Sequence, residues 1–218
     1  MKDGVKMDNY LKQIYDSKII AIVRGIEKEK GLKVVEALAE GGIRCVEVTF
    51  NTNNAVEIIK DIKKEFGNEI LIGAGTVLDV ENAKRAIDAG AKFVLSPSLH
   101  EDVIKYCKQN NVISVPGAFT ATEVVMADKW GADIVKIFPA GALGIQYIKM
   151  LRGPLDDVKL MPVGGIGLDN IKEFLECGSI AVGVGGSLVN KKFIENNQYD
   201  KLKELAQEYT KTVESIEI

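Results

Sequence analysis

The chain is poor in the residues on which most metal and disulfide chemistry depends. Its 218 residues include 1 histidine, 1 tryptophan, 5 prolines and 3 cysteines, and aromatic residues make up 6%. The single histidine, His100, has no Cys or His close by in the sequence, which excludes a histidine-rich zinc site and favours catalysis without a metal or other cofactor. Cys45, Cys107 and Cys177 are odd in number, far apart and set in or beside apolar stretches, so they read as reduced, buried thiols in a cytoplasmic protein. No run of 18 apolar residues is present, and Met1-Lys2-Asp3-Gly4 lacks the apolar core of a signal peptide. An excess of positive charge is missing too. With 28 basic and 31 acidic residues the net charge is -3, which argues against binding to nucleic acid or to an anionic membrane, so any bound anion must be met locally. No linker-like segment interrupts the chain, and a single domain spanning residues 1–218 is expected.

What the chain does have is repetition. Short apolar runs begin near Ile19, Cys45, Ile70, Lys92, Val112, Ile134, Lys159 and Ile180, and helical periodicity fills the segments between most of them. Each segment is long enough for a crossover helix, so neighbouring strands should be parallel. Gly41-Gly42, Gly67, Gly90, Gly131 and Gly178 stand where helices should end. Asp79, Thr120 and Asp169 stand where helices should begin, with Glu123 completing a capping box after Thr120. Residues 8–18 predict an extra amphipathic helix with Leu11, Ile14 and Tyr15 on one face, closing the lower end of the fold, and the tail after Tyr199 is helical as well. Strand one ends in Val23-Arg24-Gly25-Ile26 without the glycine fingerprint of a dinucleotide-binding open sheet, so a single-domain (β/α)8 TIM barrel of the α/β class is expected.

Strand parity picks out two misplaced charges. In a barrel, alternate strand residues point to the packed interior. Lys136 shares a face with Ile134 and Phe138, while Glu47 shares one with Cys45 and Thr49, and both sets read as inward. The bland alternative is a buried ion pair without chemistry. The sharper one is a desolvated lysine whose free amine attacks a ketone to form a Schiff base, with Glu47 as general acid and base.

Paired glycines supply the second signal. Val163-Gly164-Gly165 after strand seven and Gly185-Gly186-Ser187 after strand eight stand where such barrels hold a phosphate on backbone amides. Arg24 projects to the same rim and could grip a carboxylate, and Gly73-Ala74-Gly75-Thr76 adds a hydroxyl at Thr76. Pro97 and Pro116, ending strands four and five, are candidate cavity-lining residues.

Taken in order, G-I-R-C-V-E-V-T around Glu47, G-A-G-T-V from Gly73, S-P at Ser96-Pro97, K-I-F-P-A from Lys136, P-V-G-G-I and V-G-V-G-G-S resemble the 2-keto-3-deoxy-6-phosphogluconate (KDPG) aldolase family over about residues 8 to 215. The resemblance implies a class I aldolase without a cofactor, in which Lys136 carries the Schiff base and Glu47 moves protons. Thr76, Pro97 and Phe138 would line the pyruvate end, and the glycine loops with Ser187 would hold the phosphate. It also implies a homotrimer acting on a phosphorylated keto-deoxy sugar acid. Thr49, Asn51 and Val163 are expected to contact the substrate as well, and two of them depart from the commoner pattern: Asn51 replaces a frequent arginine, and Val163 replaces a threonine. Together with Arg24 these resemble 2-keto-3-deoxy-6-phosphogalactonate aldolases. Cleavage of 4-hydroxy-2-oxoglutarate to pyruvate and glyoxylate is a further alternative within the same mechanism, and a phosphate-sugar isomerase using Glu47 as base is a rival outside it.

Overall fold

In a computed structural model, which describes the backbone of residues 2–216 and the side chains of residues 7–216, the apolar runs become parallel strands joined by helices. Met1, Glu217 and Ile218, the ends of the expected single domain, lie outside the described residues. The strands are β1 (Ile19–Val23), β2 (Cys45–Thr49), β3 (Leu71–Gly75), β4 (Phe93–Leu95), β5 (Ile113–Val115), β6 (Gly117–Ala118), β7 (Val135–Ile137), β8 (Leu160–Pro162) and β9 (Val182–Val184). The helices are α1 (Lys2–Ser17), α2 (Lys28–Glu40), α3 (Ala55–Phe66), α4 (Val80–Ala89), α5 (Glu101–Gln109), α6 (Ala121–Lys129), α7 (Ala140–Arg152), α8 (Ile171–Glu176), α9 (Lys191–Glu195) and α10 (Tyr199–Glu214).

Two all-parallel sheets result, one ordered β5-β4-β3-β2-β1-β9 and one ordered β6-β7-β8. The expectation of eight strands needs correction here, because the fifth run divides into β5 and β6. Pro116 separates them: it has no N–H to give to a ladder, although its carbonyl still accepts from Lys136 N at 2.9 Å. The sheets meet at this break and again between β8 and β9, where Val163 bridges Gly183 in parallel and Ile180 N donates to the Leu160 carbonyl at 3.0 Å.

Alternation along the strands sorts the apolar side chains into two clusters. Ile20, Ile22, Cys45, Leu71, Phe93, Leu95, Ile113, Val115, Ile134 and Met161 pack together on the inner face, whereas Ile19, Ala21, Val23, Val46, Val48, Ile72 and Val135 meet the helix layer. Ile14 of α1 is fully buried in the inner cluster, and Leu11 and Tyr15 pack beside it. These neighbours lie at the N-terminal ends of the strands, so α1 covers the lower end as its apolar face required. It begins well before Asp8.

Helix ends follow local chemistry. Asp79 Oδ1 accepts from Asn82 N at 2.7 Å, and Thr120 and Glu123 form the expected capping box. Asp169 does not cap α8. The cap position belongs to Asn170, whose Oδ1 accepts from Gly167 N and whose Nδ2 donates to the Gly165 carbonyl, both at 2.9 Å, so the side chain fastens the preceding glycine loop. Gly42, Gly67, Gly90, Gly131 and Gly178 have positive φ just past their helices, while Gly41 does not.

Candidate active site

Glu47 and Lys136 are held inside the fold by the parity of β2 and β7, with 1% and 3% of their surfaces exposed. Burial dominates the chemistry of both groups. It raises the pKa of the Glu47 carboxyl, against the opposing pull of the Lys136 and Arg24 charges. It lowers the pKa of the Lys136 amine, with Glu47 acting to raise it and Arg24 to lower it further. Each group is thereby moved toward its neutral form. Glu47 Oε2 is buried without a hydrogen-bond partner, a proton-accepting atom with nothing in the protein to satisfy it. The Lys136 Nζ stands 4.6 Å from the centroid of the Phe138 ring, two residues along the same face.

Room for the carboxylate comes from β3. A Cβ added to Gly75 would fall on Glu47 Oε1, and one added to Gly73 would strike the Phe93 ring. Inward positions 73 and 75 of this strand must therefore be glycine, while inward Leu71 packs in the inner cluster, so the upper part of the strand is tied to the groups across from it. In the sequence this motif points to the Thr76 hydroxyl and carries no signal for the space it leaves to Glu47.

Above the inner face, a rim cavity of about 620 Å³ is lined by Arg24, Phe138, Val163, Gly164, Gly165, Gly185, Gly186 and Ser187, which brings eight of the sequence-selected residues together. The Lys136 amine lies beside the Phe138 ring, which forms part of the wall. Gly165 needs its missing side chain for close approach: a Cβ there would stand 2.9 Å from the Cα of Gly141 at the start of α7, and its φ is +75°. The Ser187 hydroxyl donates to the Ile166 carbonyl at 2.5 Å, linking the two glycine loops. Asp169, Asn170 and Lys191 also line this cavity; the sequence marks Asp169 only as a helix start and carries no signal for the other two.

Other selected residues stand apart. Asn51 and Thr76 line a neighbouring cavity of about 480 Å³ with Thr52, Asn82 and Arg85. Thr49 is fully buried, and its hydroxyl lies 3.5 Å from the Val23 carbonyl and 3.1 Å from the Thr52 hydroxyl, so it faces protein partners. Pro97 is half-buried, with its carbonyl group against Gly117, where a Cβ would stand in its way. His100 precedes α5 and its Nε2 lies 2.8 Å from the Ser98 hydroxyl.

A buried amine, a carboxyl able to hold or release a proton, and a cavity floored by glycine loops form an arrangement suited to imine chemistry on a phosphorylated carbonyl compound. The family model described as "Aldolase: KDPG and KHG aldolase" matches residues 8–205. The chain belongs to the KDPG and KHG aldolase family. As a member of this aldolase family it is a carbon–carbon lyase. It is 36% identical over 88% of its length to the 2-dehydro-3-deoxy-phosphogluconate aldolase of Treponema pallidum (strain Nichols), covering 91% of that protein. It is 35% identical over 78% of its length to the 2-dehydro-3-deoxy-6-phosphogalactonate aldolase of Escherichia coli (strain K12), covering 83% of that protein. Among solved structures, the KDPG aldolase of Legionella pneumophila with pyruvate captured as a covalent carbinolamine matches with a TM-score of 0.85 at 30% identity, over 91% of this chain and 96% of that one. Among the described residues of this family member, no helix is long and apolar enough to cross a membrane.

Proposed function

We propose that the chain cleaves KDPG to pyruvate and glyceraldehyde 3-phosphate through a Schiff base on Lys136. The observation that carries this reading is a buried Lys136 amine that feels the buried Glu47 charge and lies against the Phe138 ring, itself part of the wall of a cavity lined by two glycine loops. The neutral amine attacks the C2 ketone, and the carbinolamine loses water to give an iminium. Glu47 takes the proton of the C4 hydroxyl as the C3–C4 bond breaks, and the bonding pair passes into the iminium to form an enamine. Glyceraldehyde 3-phosphate leaves. The enamine is protonated at C3, and hydrolysis releases pyruvate and restores the amine. Arg24 binds the substrate carboxylate at the rim, and backbone amides at Gly164, Gly165, Gly185 and Gly186 take the phosphate with Ser187. Phe138, on the wall of the rim cavity and beside the Lys136 amine, lines the pyruvate end.

A second reading has its own observation. At Arg24, Asn51 and Val163 the chain resembles the galactonate aldolases, and the galactonate aldolase relative is 35% identical, which supports the galactonate epimer as an alternative substrate. Paired assays with the gluconate and galactonate substrates decide between them.

The two sheets are read as one closed (β/α)8 barrel in a single domain, supported by the meeting points at Pro116 and at the Val163–Gly183 bridge. A homotrimer is supported by membership of the family. A cytoplasmic enzyme is supported by the three buried free thiols.

Incubation with pyruvate and borohydride, followed by intact mass and peptide mapping, tests the mechanism. A single reduced adduct on Lys136 is expected. No adduct, or adducts scattered over exposed lysines, overturns it.

A further inference from the structure

Arg24 stands at the mouth of the rim cavity with nothing in the protein holding its far end. None of the ion pairs among the described residues involves it, and the residue is exposed. A long, rotamer-rich side chain placed this way reaches a defined position only if its own backbone is fixed. Packing and the sheet fix the strand before it, where Val23 is fully buried and pairs with Val48, but not the turn after it. The next residue, Gly25, turns the chain with φ +63°, and a Cβ added there would meet nothing within 4 Å.

Hydrogen bonds with Thr52, just beyond β2, and with Thr49 at its end hold that turn. Gly25 N, on one side of Arg24, donates to the Thr52 hydroxyl at 2.9 Å. The Thr52 and Thr49 hydroxyls lie 3.1 Å apart, and Thr49 donates to the carbonyl of Val23, on the other side of Arg24, at 3.5 Å. Either hydroxyl can donate between the two threonines; when Thr49 gives its proton to the Val23 carbonyl, Thr52 donates to Thr49 while accepting from Gly25 N–H. The threonines are themselves fixed, because Thr52 N donates to the Thr49 carbonyl at 2.9 Å and the two residues are 4% and 0% exposed. Backbone groups on both sides of Arg24 therefore close onto a single buried pair of hydroxyls.

We propose that Thr52, acting with Thr49 through this clasp, is a positioning residue that sets where the Arg24 guanidinium stands and hence how tightly the substrate carboxylate is gripped. This rests on the reading above that Arg24 binds that carboxylate. Thr49 is then part of the support and not a contact to substrate. The valine variant of Thr52 keeps the shape and removes only the hydroxyl, leaving Gly25 N–H to water and the turn free to shift.

The test measures KM and kcat for the preferred keto-deoxy phosphosugar acid in Thr52→Val, Thr52→Ser, Arg24→Ala and the Thr52→Val/Arg24→Ala double variant. Thr52→Val should raise KM by about tenfold with kcat within about threefold of the parent, the pattern of lost uniform binding. Thr52→Ser, which retains the hydroxyl, should restore KM. In the Arg24→Ala background, Thr52→Val should add nothing. If Arg24→Ala raises KM but Thr52→Val does not, or if the two effects multiply in full, the positioning role is wrong while the carboxylate reading survives. If Arg24→Ala leaves KM unchanged, the carboxylate reading itself fails and the proposal falls with it. Should Thr52→Val not fold, Thr49→Val breaks the same clasp and must raise KM in the same Arg24-dependent way; an unchanged KM there overturns the proposal equally.

Discussion

Gly75→Ala is the smallest change that should disable the site without touching either charged group. Gly75 does not have a positive φ, so an alanine meets no backbone strain there. The obstacle is across the interior: the new Cβ would occupy the position of Glu47 Oε1, where ordinary contact requires at least 3.4 Å. Glu47 is 1% exposed and has no solvent into which to retreat. Overpacking of this kind costs about 1–3 kcal/mol, or a fall in melting temperature of roughly 2–12 °C for a chain of this size. The effect on turnover is larger. Displacing a proton-transfer group by about 1 Å costs on the order of 100-fold, and losing general acid–base catalysis altogether costs about 100- to 10,000-fold. We expect kcat to fall within that range while substrate binding, dominated by the rim, changes little. Glu47→Asp in the same chain shortens the carboxylate by one methylene, and the double variant should be less impaired than the product of the single effects. Gly153→Ala, whose Cβ would sit 3.5 Å from the Met150 carbonyl, serves as a neutral control. A Gly75→Ala enzyme with parental kcat would refute the reasoning, because either Glu47 would not occupy that space or its position would not matter.

Further outcomes can be checked by simple measurements. Pyruvate trapping requires the neutral amine, so its rate should climb as pH rises through the Lys136 pKa; Glu47→Gln removes the charge that raises that pKa and should move the rise to lower pH, whereas Arg24→Gln removes a charge that lowers it and should move the rise to higher pH. Shifts in the same direction would contradict this electrostatic account. Ile14→Ala, at the fully buried contact between α1 and the inner cluster, should cost about 2–5 kcal/mol in urea unfolding, and a loss below about 1 kcal/mol would mean that α1 does not close the lower end. Asp79→Ala should cost about 1 kcal/mol through loss of the α4 cap, while Asp169→Ala, which caps nothing, should stay within about 0.5 kcal/mol; equal losses would count against the assignment of caps.

Much of this molecule could be read from local pattern. Runs of β-branched residues marked the strands, parity put Glu47 and Lys136 on the inner face, and the apolar stripe of α1 anticipated its place beneath the strands. These readings succeed because side-chain direction follows from a fixed period of two in a strand and 3.6 in a helix, whatever lies across from it. Residue type did the same for the caps at Asp79 and Thr120, where donor and acceptor are only three residues apart.

Relationships between distant segments depended on the folded chain. Pro116 stood at an expected strand end, yet its effect on the sheet depended on which neighbour paired with each half of the run. Asp169 and Asn170 are both good capping residues by type, and the choice between them turned on where the glycine loop carried its free N–H groups. Asn51 looked like part of one rim but faces a separate cavity, and the Thr49 hydroxyl is satisfied by protein partners. Gly75 is small because a carboxylate from another strand fills its space, and Thr52 matters because it meets a backbone 27 residues earlier. The sequence by itself determined the elements, their faces and the residue types available for chemistry, since these follow from short-range sterics and periodicity. Only the tertiary structure decided which of those residues share a cavity, which are already satisfied and which support others, because each depends on distances between segments that the linear order leaves open.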